Sequence, residues 1–547
     1  MKTVVLGFDA LDVRYLDRYA SSLPNLTALR DRGIEAPLES THPPWTGSAW
    51  PSMYTGVDPS YHGVYDFFDY DGYPDEGRLV SRADVRQPAI WNYLSAEGIA
   101  SIVSNVPITH PAEPIEGVLV PGYLAAEDEP GHPEGIRDEL SSAIGEAYTV
   151  YSSGELSSDS DEKFAGYLEL LDRRRRAARW LLESHDWEFA FFQLQKTDAV
   201  FHNFDDDDHF RVIYEAADRL VGDVLEVVDE ETNVIVCSDH GIGPVTGYQI
   251  HVNEVLAEHG LVEATDETDD GLWLGPEKAA LMGETGADTE TEPDSAGRSP
   301  LERTVLAGSR VASGLGIEPG HVYGVAERFG LESALVRLAP DVVREVAGKS
   351  VDWRASRAYC PSKTQLGVRI NLAGREPEGI VSPDEYEAVR DDVIELLAGL
   401  ETPDGEPAFE FVCRREAVFD GPYAEDAPDV LFRPAGMVHT VSTKLYGQRF
   451  VPVDDHDHQV DGVFLGVGPG FADGYEADRL SLTDVAPVTM ALLGRPVPSR
   501  MTGTVPDGLL DEPVDRAEYG DVPYATGAAP EDDEDDVTER LEDLGYL

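Results

Sequence analysis

Val234-Ile235-Val236-Cys237-Ser238-Asp239-His240-Gly241 is the stretch whose reading decides the fold. Its first five residues are β-branched or small and read as a buried strand. Asp239 and His240 are both residue types that bind divalent metals, and they stand where the apolar run gives way to a turn. A second run, Thr3-Val4-Val5-Leu6-Gly7-Phe8, ends in the same way at Asp9. Open α/β sheets carry their chemistry at the carboxyl ends of strands, so two such endings predict a metal site at one edge of a sheet.

Working outward, further strand-like runs fall at 100–104 and 189–194, beside 3–8 and 233–238. Between them, 161–184 has a helical period that sets Phe164, Leu168, Leu171, Ala178 and Leu182 near one face. The arginine run 173–176 in that helix reads as a solvated face. Strands alternating with helices predict an α/β fold, a doubly wound and mostly parallel sheet between helices. From 264 to about 300 the composition shifts to Gly, Thr, Asp and Glu, and a partly helical stretch follows. We read 264–348 as an acidic insertion and candidate cap. Sheet-like pattern resumes at 367–371, with a helix across 383–398 and an apolar strand at 463–467. The expected layout is a catalytic core at 1–263 and 349–510, interrupted by the insertion. An acidic tail at 511–547 would close it, with a short amphipathic helix carrying Val537, Leu541 and Leu544.

At 547 residues and 41% hydrophobic content the chain has ample material for a large folded core. No apolar run reaches the ~20 residues of a membrane helix, and no secretory pattern follows Met1. The expectation is a soluble cytoplasmic protein with no membrane partner. Charge is the strongest compositional signal: 105 Asp and Glu against 42 Lys and Arg give a net charge of -63, and only seven of the basic residues are lysines. Such a surface repels itself in dilute buffer and is screened at molar salt, where the Debye length is ~3 Å. The chain reads as halophilic, similar to the acidic proteins of haloarchaea. The same charge argues against a nucleic-acid-binding surface, which rests on Lys and Arg neutralising phosphates. Cys237, Cys360 and Cys413 lack metal-site spacing and read as buried free thiols.

Further pieces bear on the metal site. Pro43-Pro44-Trp45-Thr46-Gly47-Ser48 puts a hydroxyl in a turn framed by Pro and Gly. In Lys196-Thr197-Asp198-Ala199-Val200-Phe201-His202, Asp198 and His202 are spaced to share one face of a helix and so one metal. Asp455-His456-Asp457-His458 precedes the strand at 463–467. In this order the set resembles the alkaline phosphatase superfamily, in particular its type I phosphodiesterase/nucleotide pyrophosphatase branch. Thr55-Gly56 and His62-Gly63 fall at that branch's spacings from Thr46. Asp239-His240-Gly241 matches its second metal motif, and His458-Gln459-Val460-Asp461-Gly462 its late motif. Gly374-Arg375-Glu376-Pro377-Glu378-Gly379 and Leu544-Gly545-Tyr546-Leu547 are similar to prokaryotic members.

The resemblance implies an alkaline-phosphatase-like fold and two divalent metal ions. One would be held by Asp198, His202 and His458, the other by Asp9, Asp239, His240 and Thr46. Ligands that mix imidazole and carboxylate without thiolate suit Zn²⁺, with Mn²⁺ as the alternative. Thr46 would attack the phosphorus of a small phosphate ester, most readily a phosphodiester or pyrophosphate, and water activated at the other metal would release the product. Phosphomonoesterase or phosphoglycerate-mutase-like activity is the enzymatic alternative, and a silent binding module the non-enzymatic one. Sulfatase is disfavoured, because Thr46-Gly47-Ser48-Ala49-Trp50 lacks that class's Pro and Arg.

Each motif also has a plainer reading. Asp9 could be a loop carboxylate, and Asp198 with His202 a surface pair beside the acidic run 205–208. His62 reads as structural. The late motif favours His458 as ligand over His456, which stays the alternative. One departure concerns specificity: Phe67 stands where nucleotide pyrophosphatases of the branch use an Asn to bind the phosphoryl oxygen. Tyr65 and Asn105 are candidate substitutes, and the aromatic run Tyr65-Asp66-Phe67-Phe68 could stack a ring or pack a loop. Physiological substrate and oligomeric state are not legible.

Overall fold

The computed structural model describes residues 1–157, 159–265, 350–475 and 478–525. Most of the acidic insertion and the expected C-terminal helix lie outside the described residues. Eight strands form the central sheet in the order Leu480–Ser481, Ile34–Glu39, Asp461–Val467, Asn233–Cys237, Thr3–Phe8, Phe189–Leu194, Ser101–Ser104, Gly117–Val120. Asp461–Val467 runs antiparallel to both of its neighbours, and the other pairings are parallel. The fold is the doubly wound α/β sheet expected from the alternation of strands and helices.

Both faces of the sheet are covered, which explains why its strands read as apolar runs rather than as alternating patterns. Val4, Leu6, Phe8, Ala190 and Phe192 point to one core. The intervening Val5, Phe189 and Phe191 point to the other. Ser160–Ser184 and Asp207–Val227 cover the first face. Thr46–Thr55, Ile90–Ala96 and Val485–Leu492 cover the second. The helix Ser160–Ser184 begins where the Asp159 carboxylate accepts the N–H groups of Asp161 and Glu162, satisfying two donors of its open first turn. Its arginine run is not the solvated face expected: Arg175 and Arg176 are half-buried and ion-paired to Asp172, Asp223 and Glu146. Arg173 and Arg174 are buried, with Arg174 donating to the Val150 carbonyl at 2.8 Å and stacking on Tyr148. Among the cysteines, Cys237 and Cys360 are buried free thiols, whereas Cys413 is only half-buried. No helix among the described residues is long and apolar enough to cross a membrane.

A second, four-stranded antiparallel sheet, in the order Ala358–Tyr359, Gly367–Ile370, Val430–Pro434, Phe409–Arg414, packs with the helix Tyr386–Ala398 around its own core. The strand expected at 367–371 and the helix expected at 383–398 belong to this smaller sheet rather than to the central one. Asp429, fully buried, is its electrostatic hub. Its carboxylate accepts two hydrogen bonds from Arg375 at 2.7 Å each, one from Arg415 at 2.9 Å, one from the Tyr386 hydroxyl at 2.6 Å and one from the Ile370 N–H at 2.7 Å. Glu376 accepts from Arg369 and Arg375. The motif 374–379 therefore holds this sheet together.

Candidate metal centre

Strand register builds the first half of the site. Thr3–Phe8 pairs in parallel with Asn233–Cys237, Gly7 opposite Cys237. Continued two residues past that pair, the register sets Asp9 beside Asp239. Both carboxylates are wholly buried, as is His240. His240 Nε2 lies 3.4 Å from Asp9 Oδ1 and 3.3 Å from Asp239 Oδ2. Its Nδ1 faces the Gly241 carbonyl at 3.0 Å, which fixes the ring with Nε2 toward the carboxylates. Asp9 Oδ2 is held from behind by Trp50 Nε1 and Gln193 Nε2, each donating at 3.2 Å. Asp239 Oδ1 accepts the Ala10 N–H at 3.3 Å.

Thr46 opens the helix Thr46–Thr55, which no side chain caps. Its hydroxyl donates to Asp9 Oδ1 at 3.3 Å and lies 3.5 Å from His240 Nε2. An uncapped helix start presents free N–H groups and the positive end of the helix dipole, a setting for a phosphoryl oxygen. Gly47 lets the turn at Asp66 and Phe67 close up against this helix start. A Cβ there would sit 3.0 to 3.1 Å from backbone atoms of Asp66 and Phe67.

The second half comes from the next strand and from the late hairpin. Phe189–Leu194 runs into the helix Lys196–Asn203, whose Asp198 and His202 share a face: His202 Nε2 is 3.1 Å from Asp198 Oδ1. Asp455–Gln459 pairs antiparallel with Gly241–Val245, setting His458 opposite Ile242, two residues past His240. His458 Nε2 then lies 3.5 Å from Asp198 Oδ1 and 3.2 Å from His202 Nε2, and its ring stacks on His240 at 4.0 Å. All seven expected positions thus converge. Ligand atoms of Asp9, Asp239 and His240 gather within 4.8 Å of one another, as do those of Asp198, His240 and His458, and those of His202, Asp457 and His458. Sequence reasoning passed over Asp457, although it lies between the two histidines that were weighed. Gln193 and Trp50 were also missed, because their role appears only once strand and helix meet at Asp9.

The charges are strongly coupled. Burial, followed by the neighbouring Asp9 charge, pushes the Asp239 carboxyl well above the usual carboxylate range. Burial likewise raises Asp9. For His240 burial disfavours the imidazolium, but Asp239 and Asp9 outweigh it and hold the pKa up at about 10. Burial also opposes the Asp198 charge, yet His202 and His458 hold that carboxyl well below its ordinary value. In return Asp198 lifts His202 to about 9 against its burial. His458 is pushed down to about 4 by burial and by the charge on His240.

The donor set fits divalent cations. Asp198 Oδ1, Asp239 Oδ2 and His458 Nδ1 are buried without a hydrogen bond. The His202 and His458 Nε2 atoms face each other with at most one proton to share at neutral charge. Buried lone pairs converging in this way are costly unless a cation or a proton lies among them.

The remaining candidates lie elsewhere. His456 packs among Tyr15, Phe201 and Phe210, away from the cluster. His62 Nδ1 accepts the Val64 N–H at 3.2 Å and its Nε2 is 2.9 Å from Ser52 Oγ, so it braces the turn after the helix Thr46–Thr55. Tyr65 spends its hydroxyl on the Tyr423 carbonyl at 2.9 Å. Asn105 is bound to the Tyr148 hydroxyl through both its amide atoms. Neither is free to replace an asparagine at position 67. Phe67 packs edge-on against Tyr123 at 6.2 Å.

The chain belongs to the type I phosphodiesterase/nucleotide pyrophosphatase family: that family's profile matches residues 3–305, just over half of the 547 residues. The family is one of phosphodiesterase- and pyrophosphatase-type hydrolases. No curated protein matches the sequence. Among solved structures, phosphonoacetate hydrolase from Sinorhizobium meliloti 1021, in complex with phosphonoformate or with phosphonoacetate, superposes with a TM-score of 0.51 at 15% identity, covering 90% of this chain and 96% of that one. Murine ectonucleotide pyrophosphatase/phosphodiesterase 5 aligns with a TM-score of 0.47 at 12% identity, covering 93% of this chain and 100% of the other. At such identity the first likeness is one of fold.

Proposed function

From membership of that family, we propose that the protein hydrolyses phosphodiester or pyrophosphate bonds of small phosphate esters, with Thr46 as nucleophile at a site for two divalent cations. The observation that carries the reading is the position of the Thr46 hydroxyl. It stands at an uncapped helix start, 3.3 Å from Asp9 and 3.5 Å from His240, at the edge of a cluster of four carboxylates and three imidazoles. Asp9, Asp239 and His240 would hold one cation beside Thr46, and Asp198, His202 and His458 the other. The donor chemistry suits Zn²⁺ or Mn²⁺. When bound, the cations would lower the pKa of the threonine hydroxyl and neutralise the phosphoryl oxygens.

This chain's residues would do the rest. Trp50 and Gln193 fix Asp9, and Asp9 Oδ1 accepts the Thr46 hydroxyl, so the nucleophile is oriented before substrate arrives. The helix start at Thr46 and Gly47 receives a phosphoryl oxygen. Thr46 Oγ1 bonds to phosphorus as the ester bond to the leaving group breaks. Water then cleaves the threonine phosphoester and restores the hydroxyl, so two displacements leave the phosphorus configuration retained.

The test is hydrolysis of bis-p-nitrophenyl phosphate, p-nitrophenyl phosphate and an aryl sulfate at molar KCl, with and without EDTA. The diester should be preferred, EDTA should abolish turnover, and Thr46→Ala should lower kcat by at least ~10³-fold. Full activity in Thr46→Ala would sink the covalent route, and turnover of the sulfate alone would move the protein to another class.

A further inference from the structure

Arg174 is a buried cation without an anionic partner among the described residues. It lies on the covered face of the helix Ser160–Ser184 and is 7% exposed. Its Nη2 donates to the Val150 carbonyl at 2.8 Å, and its guanidinium lies 4.7 Å from the centre of the Tyr148 ring. Its Nη1 is buried with no hydrogen bond. Among the described residues it takes part in no ion pair, whereas Arg173, Arg175 and Arg176 beside it all do. The Glu127 carboxylate, whose charge reaches it, is spent on Arg137 at 2.9 Å and on the Val150 and Tyr151 N–H groups at 3.0 and 3.1 Å. A guanidinium stays protonated at any ordinary pH, so a buried one without a counter-charge is costly.

Arg174 borders a small cavity at the carboxyl ends of Ser101–Ser104, Gly117–Val120 and Phe189–Leu194, with Asn105, Gln193, Gln195 and Lys196 also on its walls. Strand ends of this kind are where open α/β sheets bind ligands. Lys196 is buried as well, but Glu155 answers its charge: both carboxylate oxygens lie 2.8 Å from Nζ. The lining is left with one positive charge in excess. The cavity offers about 20 Å³, room for one water-sized guest and too little for phosphate, sulfate or an organic anion. A water would give Nη1 an acceptor and leave the charge unmatched.

We propose that this cavity binds a single halide ion, chloride in a chloride medium, held by Arg174 Nη1 as the counter-ion of the buried guanidinium. A monatomic anion matches the size of the cavity, and its one negative charge matches the excess. A hydrogen bond between two charged partners is roughly twice as strong as a neutral one. The net charge of -63 opposes the approach of any anion, so the site fills at high salt, where that field is screened. It is separate from the reaction proposed at the metal centre and stands whether or not that reaction is right.

Two measurements on the full-length protein test it. Crystals moved from molar KCl to molar KBr should show an anomalous bromide peak within hydrogen-bonding reach of Arg174 Nη1, and Arg174→Met crystals should lack it. In solution, urea unfolding is followed as chloride replaces glutamate, an anion too large for the cavity, at constant potassium concentration. Once chloride exceeds the dissociation constant, each tenfold rise should lower the wild-type unfolding constant about tenfold. Arg174→Met should lose that dependence, whereas Arg175→Met, which removes a paired arginine of the same helix, should keep it. A water in place of the peak, or a chloride dependence that survives in Arg174→Met, would overturn the assignment. A bromide peak without chloride dependence in the wild type would mark an adventitious ion only and overturn it too. Should Arg174→Met fail to fold, the wild-type peak and titration still decide.

Discussion

Asp429→Asn is the perturbation that best probes what holds the smaller sheet together. Burial alone would raise the Asp429 carboxyl, but Arg375 and then Arg415 more than offset it, and the pKa falls from 3.8 to about 2. At about 1.36 kcal/mol per tenfold, the folded state favours the charged form by ~2.5 kcal/mol. The folded value is the depressed one, so this stability is fully present above the unfolded value of 3.8 and disappears as the pH falls through about 2. The asparagine keeps the shape but removes the charge, so the Arg375 and Arg415 guanidinium groups, 20% and 9% exposed, lose their shared anionic partner, and Arg415 is left with the Glu425 and Ala427 carbonyls. Breaking a buried pair in this way costs roughly 3–5 kcal/mol. Local stability of the smaller sheet should therefore fall by about 3 kcal/mol, which speeds amide exchange on the order of 100-fold. Hydrogen exchange at molar KCl reads this directly in peptides covering Gly367–Ile370 and Val430–Pro434, with Phe189–Leu194 of the central sheet as internal control. Unchanged exchange in the smaller sheet, or equal acceleration in both sheets, would refute the hub. The variant should also lose the share of the smaller sheet's acid sensitivity between pH 4 and pH 2 that Asp429 supplies.

Two further variants test the site itself. Gly47→Ala should gain up to about 1 kcal/mol of helix propensity yet push the Asp66 and Phe67 backbone by a few tenths of an ångström; kcat/KM should drop about tenfold or more while thermal stability changes little, and unimpaired turnover would show that Gly47 is not needed at the phosphoryl oxygen. His458→Ala should lower metal stoichiometry measured by mass spectrometry, whereas His456→Phe, set among Tyr15, Phe201 and Phe210, should leave it intact; the reverse result would exchange their roles.

Much of the central sheet was legible because its strands are buried on both faces. Such strands must be apolar throughout, so Thr3–Phe8, Phe189–Leu194 and Asn233–Cys237 stand out as continuous runs. Asp9 and Asp239 were conspicuous for the same reason, as charges at the ends of those runs. The arginine run misled, because a long side chain can bury its stem and still find acceptors. Arg174 reaches the Val150 carbonyl and the Tyr148 ring, neither of which is near it in sequence. The missing asparagine could be noticed at position 67, but not what its proposed substitutes were doing. Tyr65 and Asn105 are engaged by residues up to several hundred positions away.

Local chemistry therefore fixed the residue types. Carboxylates and imidazoles at strand ends, a threonine in a Pro- and Gly-framed turn and an Asp–His pair at helical spacing follow from short-range geometry that the chain encodes within a few residues. Their assembly did not. Parallel register sets Asp9 beside Asp239, and the antiparallel pairing of Asp455–Gln459 sets His458 opposite Ile242, near His240, while His456 on the same strand falls further off, opposite Pro244. Those placements depend on hydrogen-bond ladders and packing between segments far apart in the chain, and only the folded structure brings them together.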